Sequence, residues 1–369
     1  MPVIAIIITR LNLGGPAKLL IDYLNNSNDD FKYILIHGNC ESNEKEFNLN
    51  RFKADKYRVK SMARGIRILK DFQSFIQIRK ILKSLDVKLV HTHMSKAGFI
   101  GRLAAFSIKS KPIIVHTYHG QLIQGYFNKL KLNLIVKIEQ LLSLITDHFI
   151  AVSSNTQIVL QETGVGVRKR WTIINPATER KVYRRKHSNI LRLIWVGRFE
   201  KVKNPQLAID SIVALRKLAP KLKVNLQMYG DGTLLMECKK FSQKQNLPIE
   251  FYGWTEDLGP VYSNATLLLL TSLNEGFGLV ALEAASYGVP TIATKNGGIE
   301  DLIDSGKNGV LVMANSKDIS SQIFELAKNK KYLTRLSLQA IKIANKKFSI
   351  ERYINDHRML YEELIRNEI

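Results

Sequence analysis

The sequence predicts an α/β protein that consists of two doubly wound parallel-sheet domains. Short apolar runs alternate with longer stretches of helical periodicity along the whole chain. The runs are continuously apolar, a pattern typical of parallel strands that helices cover on both faces. The chain has 369 residues, which is the length of two ordinary domains. Because strand and helix patterns alternate in both halves, each half is expected to form its own doubly wound sheet.

The apolar runs place the strands, and a polar stretch between them places the domain boundary. The first half holds VIAIIIT, KYILIHG, VKLVHTH, PIIVHTYHG and DHFIAVS. The second half holds LRLIWVGR, KVNLQMYG, IEFYGW, TLLLLTS, PTIAT and GVLVM. The stretch between the two groups is polar and contains Pro176. The predicted organisation is an N-terminal domain over 1–175, a linker over 176–189, a second domain over 190–347 and a last helix over 348–369.

Composition and charge narrow the function classes. Cys40 and Cys238 are the only cysteines, which argues against a disulfide framework and a cysteine-rich metal site. No apolar run is long enough to span a membrane, and the N-terminus lacks the basic leader of a signal peptide, so we expect a cytoplasmic protein. The net charge of +23 suggests an anionic partner, either nucleic acid, an anionic membrane surface or an anionic substrate. The sequence contains no zinc-finger spacing and no aromatic-basic RNA motif.

Doubly wound folds bind ligands at the carboxyl ends of their strands, so the residues after each strand are the candidates for a site. Gly14 and Gly15 follow the first strand, and a helix is expected to start near Pro16. The glycines would let the backbone approach a ligand, and an ordinary strand-to-helix turn explains them equally well. The pattern is not G-x-G-x-x-G, so a dinucleotide-binding fingerprint is not supported.

Histidines collect after two neighbouring strands of the first half. One strand end carries His91, His93 and Lys96, and the next carries His116, Tyr118 and His119. Strand alternation puts His91 and His93 on one side, but no nearby carboxylate completes a metal site, so we predict no bound metal. A single histidine that meets the ligand as a hydrogen-bond partner or as a base fits the pattern better. We select His119, the last residue before a glycine.

Two cations follow the first strand of the second half, Arg198 at the strand tip and Lys203 in the loop. Such a pair suits a diphosphate, because arginine supplies a planar fork and lysine a compact charge. A solvated basic turn is the alternative interpretation. Gly230 and Gly253 follow two further strands. The backbone at these glycines could line a flat ring of a ligand, and turn chemistry explains each glycine as well.

The stretch NEGFGLVALE combines two carboxylates with a predicted helix start. The amides of Gly278, Leu279 and Val280 lack intrahelical partners there and can hold an anion. Glu275 precedes these amides, and Glu283 lies about one turn further along the helix. An anion that is held between two groups able to bind hydroxyls corresponds to a phosphate flanked by a sugar and a ribose. The stretch therefore predicts a nucleotide-sugar site.

At these residues the sequence resembles the family 4 retaining glycosyltransferases of the GT-B fold. The pair Glu275 and Glu283 within EGFGLVALEA matches the Glu-x7-Glu signature of that family. Four further segments match in the family's order: GGPAKLL, VHTHMSKAGFIGRLAA, HTYHG and GRFEKVKN. The resemblance spans nearly the whole chain. It implies two Rossmann-like domains that face a cleft, with the C-terminal helix over 348–369 returning to the N-terminal domain.

The resemblance also implies a role for each matching residue. Arg198 and Lys203 would neutralise the donor diphosphate, Glu275 would hold the donor sugar and Glu283 would bind the ribose hydroxyls. His119 would approach the sugar near the reacting centre. The other donor-binding residues would be Gly14, Gly15, Gly230, Gly253, Gly276, Phe277, Gly278, Leu279 and Val280.

The family's chemistry is metal-independent transfer with retention at the anomeric carbon. It implies that the leaving diphosphate helps to deprotonate the acceptor while His119, Glu275, Arg198 and Lys203 carry catalysis. Neither a metal nor another cofactor is expected, since the nucleotide-sugar, a UDP-sugar by our prediction, is a substrate. On the acceptor side, His93, Lys96 and Tyr118 are the candidates.

The acceptor is expected to be a glycan or a polyprenyl-diphosphate-linked saccharide in cell-surface polysaccharide synthesis, because the N-terminal patterns look like those of relatives that build capsule or O-antigen. Two segments in which basic and apolar residues interleave, RVKSMARGIRILKDFQSFIQIRKILKSL and YFNKLKLNLIVKIEQLL, suggest the inner membrane face; ordinary amphipathic helices explain them as well. The alternatives are a non-hydrolysing nucleotide-sugar epimerase on the same fold and a basic nucleic-acid-binding protein.

Overall fold

The computed structural model describes residues 1–27, 31–42, 44–48, 53–120, 129–179, 190–255 and 257–367. The described chain divides into two compact units. The first unit holds the described residues up to Pro176 and those from Ile350 onward, and the second holds those from Ala177 to Ser349. Most of the predicted linker, 180–189, lies outside the described residues, so the predicted domain limits stay predictions.

The first unit is built on a parallel sheet. Its strands are β1 (Val3–Ile8), β2 (Lys32–His37), β3 (Asp55–Arg58), β4 (Val87–His93), β5 (Ile113–Tyr118), β6 (His148–Ala151) and β7 (Arg170–Ile173). Their order across the sheet is β3-β2-β1-β4-β5-β6-β7. The order reverses between β1 and β4, and the carboxyl ends of these strands therefore border the crevice where such sheets bind ligands.

Helices cover the first sheet on both faces. They are α1 (Gly15–Asn26), α2 (Ile68–Ser84), α3 (Ser95–Phe106), α4 (Lys129–Leu144) and α5 (Ser154–Glu162). The isoleucines of β1 are almost completely buried, as the continuous apolar run predicts. A single core cluster joins β1, β2 and β4 to the inner faces of α2 and α3, and α3 packs between α2 and α4.

The second unit repeats the same plan with its own parallel sheet. Its strands are β8 (Leu191–Val196), β9 (Val224–Tyr229), β10 (Ile249–Tyr252), β11 (Leu267–Leu270), β12 (Thr291–Thr294) and β13 (Gly309–Val312). The order across the sheet is β10-β9-β8-β11-β12-β13, with the reversal between β8 and β11. The carboxyl ends of β8 and β11 thus border the second candidate crevice.

The remaining helices belong mostly to the second unit. A 3₁₀ helix (Lys201–Lys203) directly precedes α6 (Pro205–Leu218). The helices that follow are α7 (Leu235–Lys244), α8 (Gly259–Asn264), α9 (Leu279–Ser286), α10 (Ile299–Leu302), α11 (Ser316–Lys328) and α12 (Lys330–Lys347). The last helix, α13 (Ile350–Arg366), packs against α1 in the first unit. It begins two positions later than the predicted segment 348–369, and Phe348, Tyr353 and Tyr361 are buried.

The two parallel sheets confirm the predicted fold class. Each predicted apolar run is a strand, but β3 and β7 were missed. Both are short edge strands with mostly exposed or half-buried side chains, such as the charged Asp55 and Arg170. Because an edge strand need not be buried on both faces, it carries no continuous apolar run that sequence periodicity could detect.

Candidate active site

In the second unit, hydrogen bonds join the loop after β8 to the loop after β11. Leu273 N–H donates to the Val202 carbonyl at 2.8 Å, and Thr271 Oγ1 donates to the Asn204 carbonyl at 2.8 Å. Asn204 has a left-handed backbone with φ 48°, which separates the 3₁₀ helix from α6. These contacts hold Lys203, which directly precedes Asn204, beside the loop that follows β11.

The two loops bring Lys203 and Glu275 into contact. Lys203 Nζ lies 2.5 Å from Glu275 Oε1, and Ser272 Oγ donates to the same oxygen at 2.6 Å. Glu275 is 8% exposed. Its backbone is held as well, because Gly298 N–H donates to its carbonyl at 2.8 Å. Sequence reasoning missed Ser272. Its hydroxyl follows a strand and lies three residues before the candidate carboxylate of Glu275, and that position could have indicated a contact between them.

Arg198 shares the loop that carries Lys203. The next residue, Phe199, is completely buried. Its N–H donates to the Asp231 carbonyl at 2.8 Å, and its ring centroid lies 4.8 Å from that of Trp195. This anchor fixes the backbone beside Arg198, whose side chain is half-buried. The structure therefore gathers both predicted cations and Glu275 at the strand-order reversal.

The start of α9 depends on a glycine. Gly278 has φ 93° and ψ 53°, and a Cβ there would lie 2.6 Å from Ile299 Cδ1. The helix then runs from Leu279, and helix geometry leaves the amides of Leu279 and Val280 without intrahelical acceptors. Those amides and the positive end of the helix dipole favour an anion at this point.

Phe277 and Gly276 join Glu275 to this helix start. Phe277 is 3% exposed, and its ring centroid lies 5.3 Å from that of Phe348 in an edge-to-face contact. The side chain is therefore part of the core of the second unit. Only the backbone of the predicted donor-binding segment Gly276–Gly278 is left for a ligand, which agrees with the use of glycines on both sides of Phe277.

Glu283 lies on α9 and is half-buried. Tyr262 donates from its hydroxyl to Glu283 Oε2 at 3.1 Å. Burial, followed by the charge of Glu283, raises the pKa of Tyr262 well above its usual value, so the phenol stays a donor. No sequence pattern points to Tyr262, because it belongs to α8, far from Glu283 along the chain.

The two glycines predicted to line a ring have different surroundings. Gly230 has φ 131°, and a Cβ there would lie 1.9 Å from the Gly197 carbonyl oxygen. The close approach of two backbone segments therefore requires glycine at this position. A Cβ on Gly253 would meet nothing within 4 Å, so packing does not require a glycine there.

In the first unit, Gly14 and Gly15 lead from β1 into α1, which starts at Gly15 with Pro16 in its first turn, as predicted. The atom nearest to a Cβ on Gly14 would be Nδ2 of Asn12, at an ordinary 3.6 Å. Pro16 also lines a small cavity of about 10 Å³ within this unit, close to the minimum for one water molecule. The cavity is otherwise lined by Ile6, Leu20, Tyr23, His91, His93, His119, Tyr353, His357 and Tyr361.

His93 and His119 form a pair at this cavity. His93 Nδ1 lies 2.9 Å from His119 Nε2, and the ring centroids of His91 and His93 are 4.1 Å apart, on one side of β4 as predicted. Burial, and then the neighbouring histidines, lower the pKa of His93 well below its usual value. Burial, and then His357, lower the pKa of His119 to about 4. Both rings are therefore neutral near pH 7.

The structure corrects the prediction for Tyr118 and gives Lys96 a partner. Tyr118 is buried, and its hydroxyl donates to Glu139 Oε2 at 2.6 Å. Arg102 binds the same oxygen at 2.6 Å. Since Tyr118 points toward the helix that carries Glu139, it is not available to an acceptor. Lys96 Nζ lies 2.6 Å from Asp71 Oδ1 and also donates to a backbone carbonyl.

The described residues hold neither a cluster of metal-binding side chains nor a membrane-spanning helix. No group of three or more His, Cys, Asp or Glu side chains among them is arranged to hold a metal ion. Within the same part of the chain, no helix is both long enough and apolar enough to cross a membrane.

Two family models match consecutive parts of the chain. Residues 33–180 match Glycosyltransferase Family 4, and residues 178–343 match Glycosyl transferases group 1. Among solved structures, sucrose-phosphate synthase from Thermosynechococcus elongatus superposes with a TM-score of 0.82 at 19% identity over 100% of both chains. Anabaena HepE in complex with UDP superposes with a TM-score of 0.79 at 17% identity over 98% of this chain and 100% of that one. At these identities the structures establish the fold.

Two sequence relatives that cover most of the chain are glycosyltransferases by name. UDP-Gal:alpha-D-GlcNAc-diphosphoundecaprenol alpha-1,3-galactosyltransferase of Escherichia coli is 27% identical over 332 residues, 84% of each chain. The O-antigen biosynthesis glycosyltransferase WbnH of Escherichia coli is 29% identical over 301 residues, 80% of this chain and 82% of that one. With the two matched family models and the two parallel sheets, these likenesses show that the chain is a glycosyltransferase and belongs to family 4 of the GT-B fold.

Proposed function

We propose that the chain transfers a sugar from a UDP-sugar, with retention at the anomeric carbon, to a lipid-linked glycan in cell-surface polysaccharide synthesis. The observation that carries this proposal is the contact of Lys203 with Glu275 beside the start of α9. A cation, a carboxylate and helix-start amides in one loop pair suit a diphosphate that bears a sugar. The relative that uses a UDP-sugar and a diphosphoundecaprenol acceptor supports the choice of donor and acceptor.

On the donor side, each group has a part that follows from its chemistry. Arg198 and Lys203 neutralise the diphosphate, and the amides at the start of α9 bind its oxygens. Glu275 accepts hydrogen bonds from the sugar, and Glu283 accepts them from the ribose. The two cations and the helix-start amides would stabilise the charge on the diphosphate, the role that a metal ion has in metal-dependent transfer. We therefore propose transfer without a metal.

In the proposed reaction, the acceptor hydroxyl oxygen forms a bond to the anomeric carbon on the face that the diphosphate leaves. The bond between the anomeric carbon and the diphosphate oxygen breaks, and the acceptor proton moves to the leaving phosphate. Arg198 and Lys203 stabilise the negative charge that develops on the diphosphate. Glu275 transfers no proton in this reaction, and His119 orients the sugar. Gly14 and Gly15 leave room for the phosphate.

We further propose that the protein binds the inner face of the membrane through its surface formed by α2, α3 and α4. In α2, Ile68 is 82% exposed and Phe72 is 62% exposed, while Ile78 and Leu82 of the same helix are buried. The helix thus has one apolar face in the core and a second one in solvent, which supports contact with lipid.

Charge on these three helices supports an anionic bilayer as the partner. The acidic residues within α2, α3 and α4 are Asp71 and Glu139, and each is paired with a basic side chain. Among the side chains that the structure describes on these helices, the exposed basic ones are Lys70, Arg79, Lys80, Lys83, Lys131 and Lys137. Because both acidic side chains are paired, the surface is basic and is attracted to anionic lipid. Its exposed apolar side chains can contact the same lipid. Each cation close to the surface contributes about 1 kcal/mol.

The test is a donor screen that follows both nucleotide release and sugar transfer. UDP-, GDP- and ADP-sugars are offered with a polyprenyl-diphosphate-linked saccharide, and the products are identified by mass. We expect one UDP-sugar to give equal amounts of UDP and of an acceptor enlarged by one sugar. UDP release without an enlarged acceptor would indicate the epimerase alternative. Binding of none of these donors would contradict the proposed function.

A further inference from the structure

His93 makes one hydrogen bond and has no partner for its second nitrogen. Its Nδ1 lies 2.9 Å from His119 Nε2. Its Nε2 is buried, and no hydrogen-bond partner for this atom exists among the described residues. His91, whose ring packs against that of His93, already uses both nitrogens, with the Tyr361 hydroxyl at 2.6 Å and Thr117 Oγ1 at 2.6 Å. His91 therefore cannot serve Nε2 of His93.

The orphaned nitrogen decides where the hydrogen of His93 sits. In a neutral imidazole, one nitrogen carries hydrogen and donates, and the other accepts. Hydrogen on Nε2 of His93 would leave a buried N–H without an acceptor, and such orphaned donors are rarer than orphaned acceptors. Hydrogen on Nδ1 instead leaves Nε2 as a bare acceptor, which is the more common of the two unsatisfied states. His93 Nδ1 is therefore the donor in the contact with His119.

This assignment fixes His119 in turn. Nε2 of His119 accepts the hydrogen bond from His93, so the single hydrogen of the neutral His119 ring is on Nδ1. Nδ1 is then the ring nitrogen left for a substrate, and it can only donate. A ring in this state stabilises an oxygen of the substrate but does not take a proton from a hydroxyl.

We propose that His93 is a positioning residue that holds His119 as its Nδ1–H tautomer, so that His119 acts as a hydrogen-bond donor to the sugar and not as a general base. The role of His119 toward the sugar rests on the proposed function, whereas the tautomer does not. The low pKa of His119, about 4, agrees with a ring that stays neutral while it donates.

The tautomer is measured without substrate. Long-range proton–nitrogen correlation spectra of the ¹⁵N-labelled full chain at pH 7.5 distinguish protonated from bare ring nitrogens, and the spectra of His93→Asn and His119→Asn assign the two rings. We expect hydrogen on Nδ1 of both rings. Hydrogen on Nε2 of His119, or an average between the two nitrogens, would overturn the proposal even if the enzyme transfers sugar.

Two substitutions separate positioning from packing. His93→Asn keeps an amide donor close to the place of Nδ1, and His93→Phe keeps the ring but removes the donor. If His93 positions His119, then in His93→Phe the His119 ring averages between its two tautomers and kcat falls about tenfold, the effect of one lost hydrogen bond. His93→Asn should keep most of the Nδ1–H tautomer of His119 and most of the wild-type kcat. A packing role gives the opposite order, with His93→Phe the better variant, and overturns the proposal.

Controls keep the outcomes distinct. His148→Asn alters a buried histidine of β6 that bonds Thr172 at 2.8 Å, outside the cavity, and it should leave the His119 signals unchanged. If His148→Asn shifts them as strongly as His93→Phe does, the effect is not specific and the proposal fails. A wild-type chain that binds no sugar donor would contradict the proposed function, and the nitrogen spectra would still decide the tautomer.

Discussion

Lys203 Nζ and Glu275 Oε1 lie 2.5 Å apart, at the point where the strand order of the second sheet reverses. The pair joins a loop after β8 to a loop after β11, and Ser272 Oγ donates to the same carboxylate oxygen at 2.6 Å. Two residues with different proposed ligands, diphosphate and sugar, thus stabilise each other before a donor binds. With the roles proposed above, binding of a donor would draw Lys203 toward the phosphates and turn Glu275 to the sugar hydroxyls.

The proposed diphosphate role of Lys203 predicts selective loss of affinity. Lys203→Ala should weaken UDP binding by about tenfold to a hundredfold, the range for a lost hydrogen bond to a charged group, and change uridine binding less than twofold. Titration calorimetry with both ligands measures this difference. Lys201→Ala is the matched control, because Lys201 lies in the same 3₁₀ helix with an exposed side chain. Equal losses for UDP and uridine would argue against the diphosphate role.

The backbone approach at Gly230 predicts a large stability difference between two glycines. A Cβ at Gly230 would lie 1.9 Å from the Gly197 carbonyl oxygen, at φ 131°, whereas a Cβ at Gly253 would meet nothing within 4 Å. Gly230→Ala should therefore lower the free energy of unfolding by about 2 kcal/mol or more, and Gly253→Ala by less than about 0.5 kcal/mol. Chemical denaturation of the two variants measures both values, and similar losses would contradict the packing described for Gly230.

The buried histidines of the first unit predict that stability falls in mild acid. His119 and His357 have a pKa of about 4 when folded, against 6.5 as the usual value. The unfolded chain therefore binds protons first, so the free energy of unfolding is level above about pH 7 and decreases below about pH 6.5, by up to 1.4 kcal/mol per pH unit for each histidine.

Denaturation between pH 7.5 and pH 5 tests this dependence before most carboxylates titrate. His357→Gln removes one of the titrating groups and should make the decrease shallower. An unchanged slope in that variant, or a wild-type stability that does not vary over this pH range, would show that the histidines are not buried in their neutral form.

The proposed lipid surface predicts binding that depends on both charge and apolar side chains. Phe72→Ser should reduce flotation of the protein with phosphatidylglycerol vesicles at low salt, because it removes an exposed ring from the apolar face of α2. Leu338→Ser is the matched control, an exposed apolar side chain on α12 in the second unit. The surface is disproved if the wild type does not float with these vesicles, or if both variants lose binding equally.

The sequence was sufficient for the two parallel sheets because buried strands are read directly from continuous apolar runs. The edge strands β3 and β7 escaped because their exposed side chains carry no such run. Lys203 and Glu275 were candidates from their places after strands, but their contact depends on how two loops separated by about seventy residues pack together. Tyr262, the partner of Glu283, lies on a different helix, and Tyr118 was misjudged because its place near a strand end does not reveal its bond to Glu139.

The most direct test of the account is the turnover of Glu275→Gln. Glutamine has nearly the same shape, so the variant should fold normally. It lacks the charge that pairs with Lys203 and that we propose to bind the sugar hydroxyls, so sugar transfer should fall at least about a hundredfold. Glu237→Gln, an exposed substitution on α7, should keep wild-type turnover. Transfer by Glu275→Gln within twofold of the wild type, measured with the donor that the wild type uses, would contradict the proposed donor site.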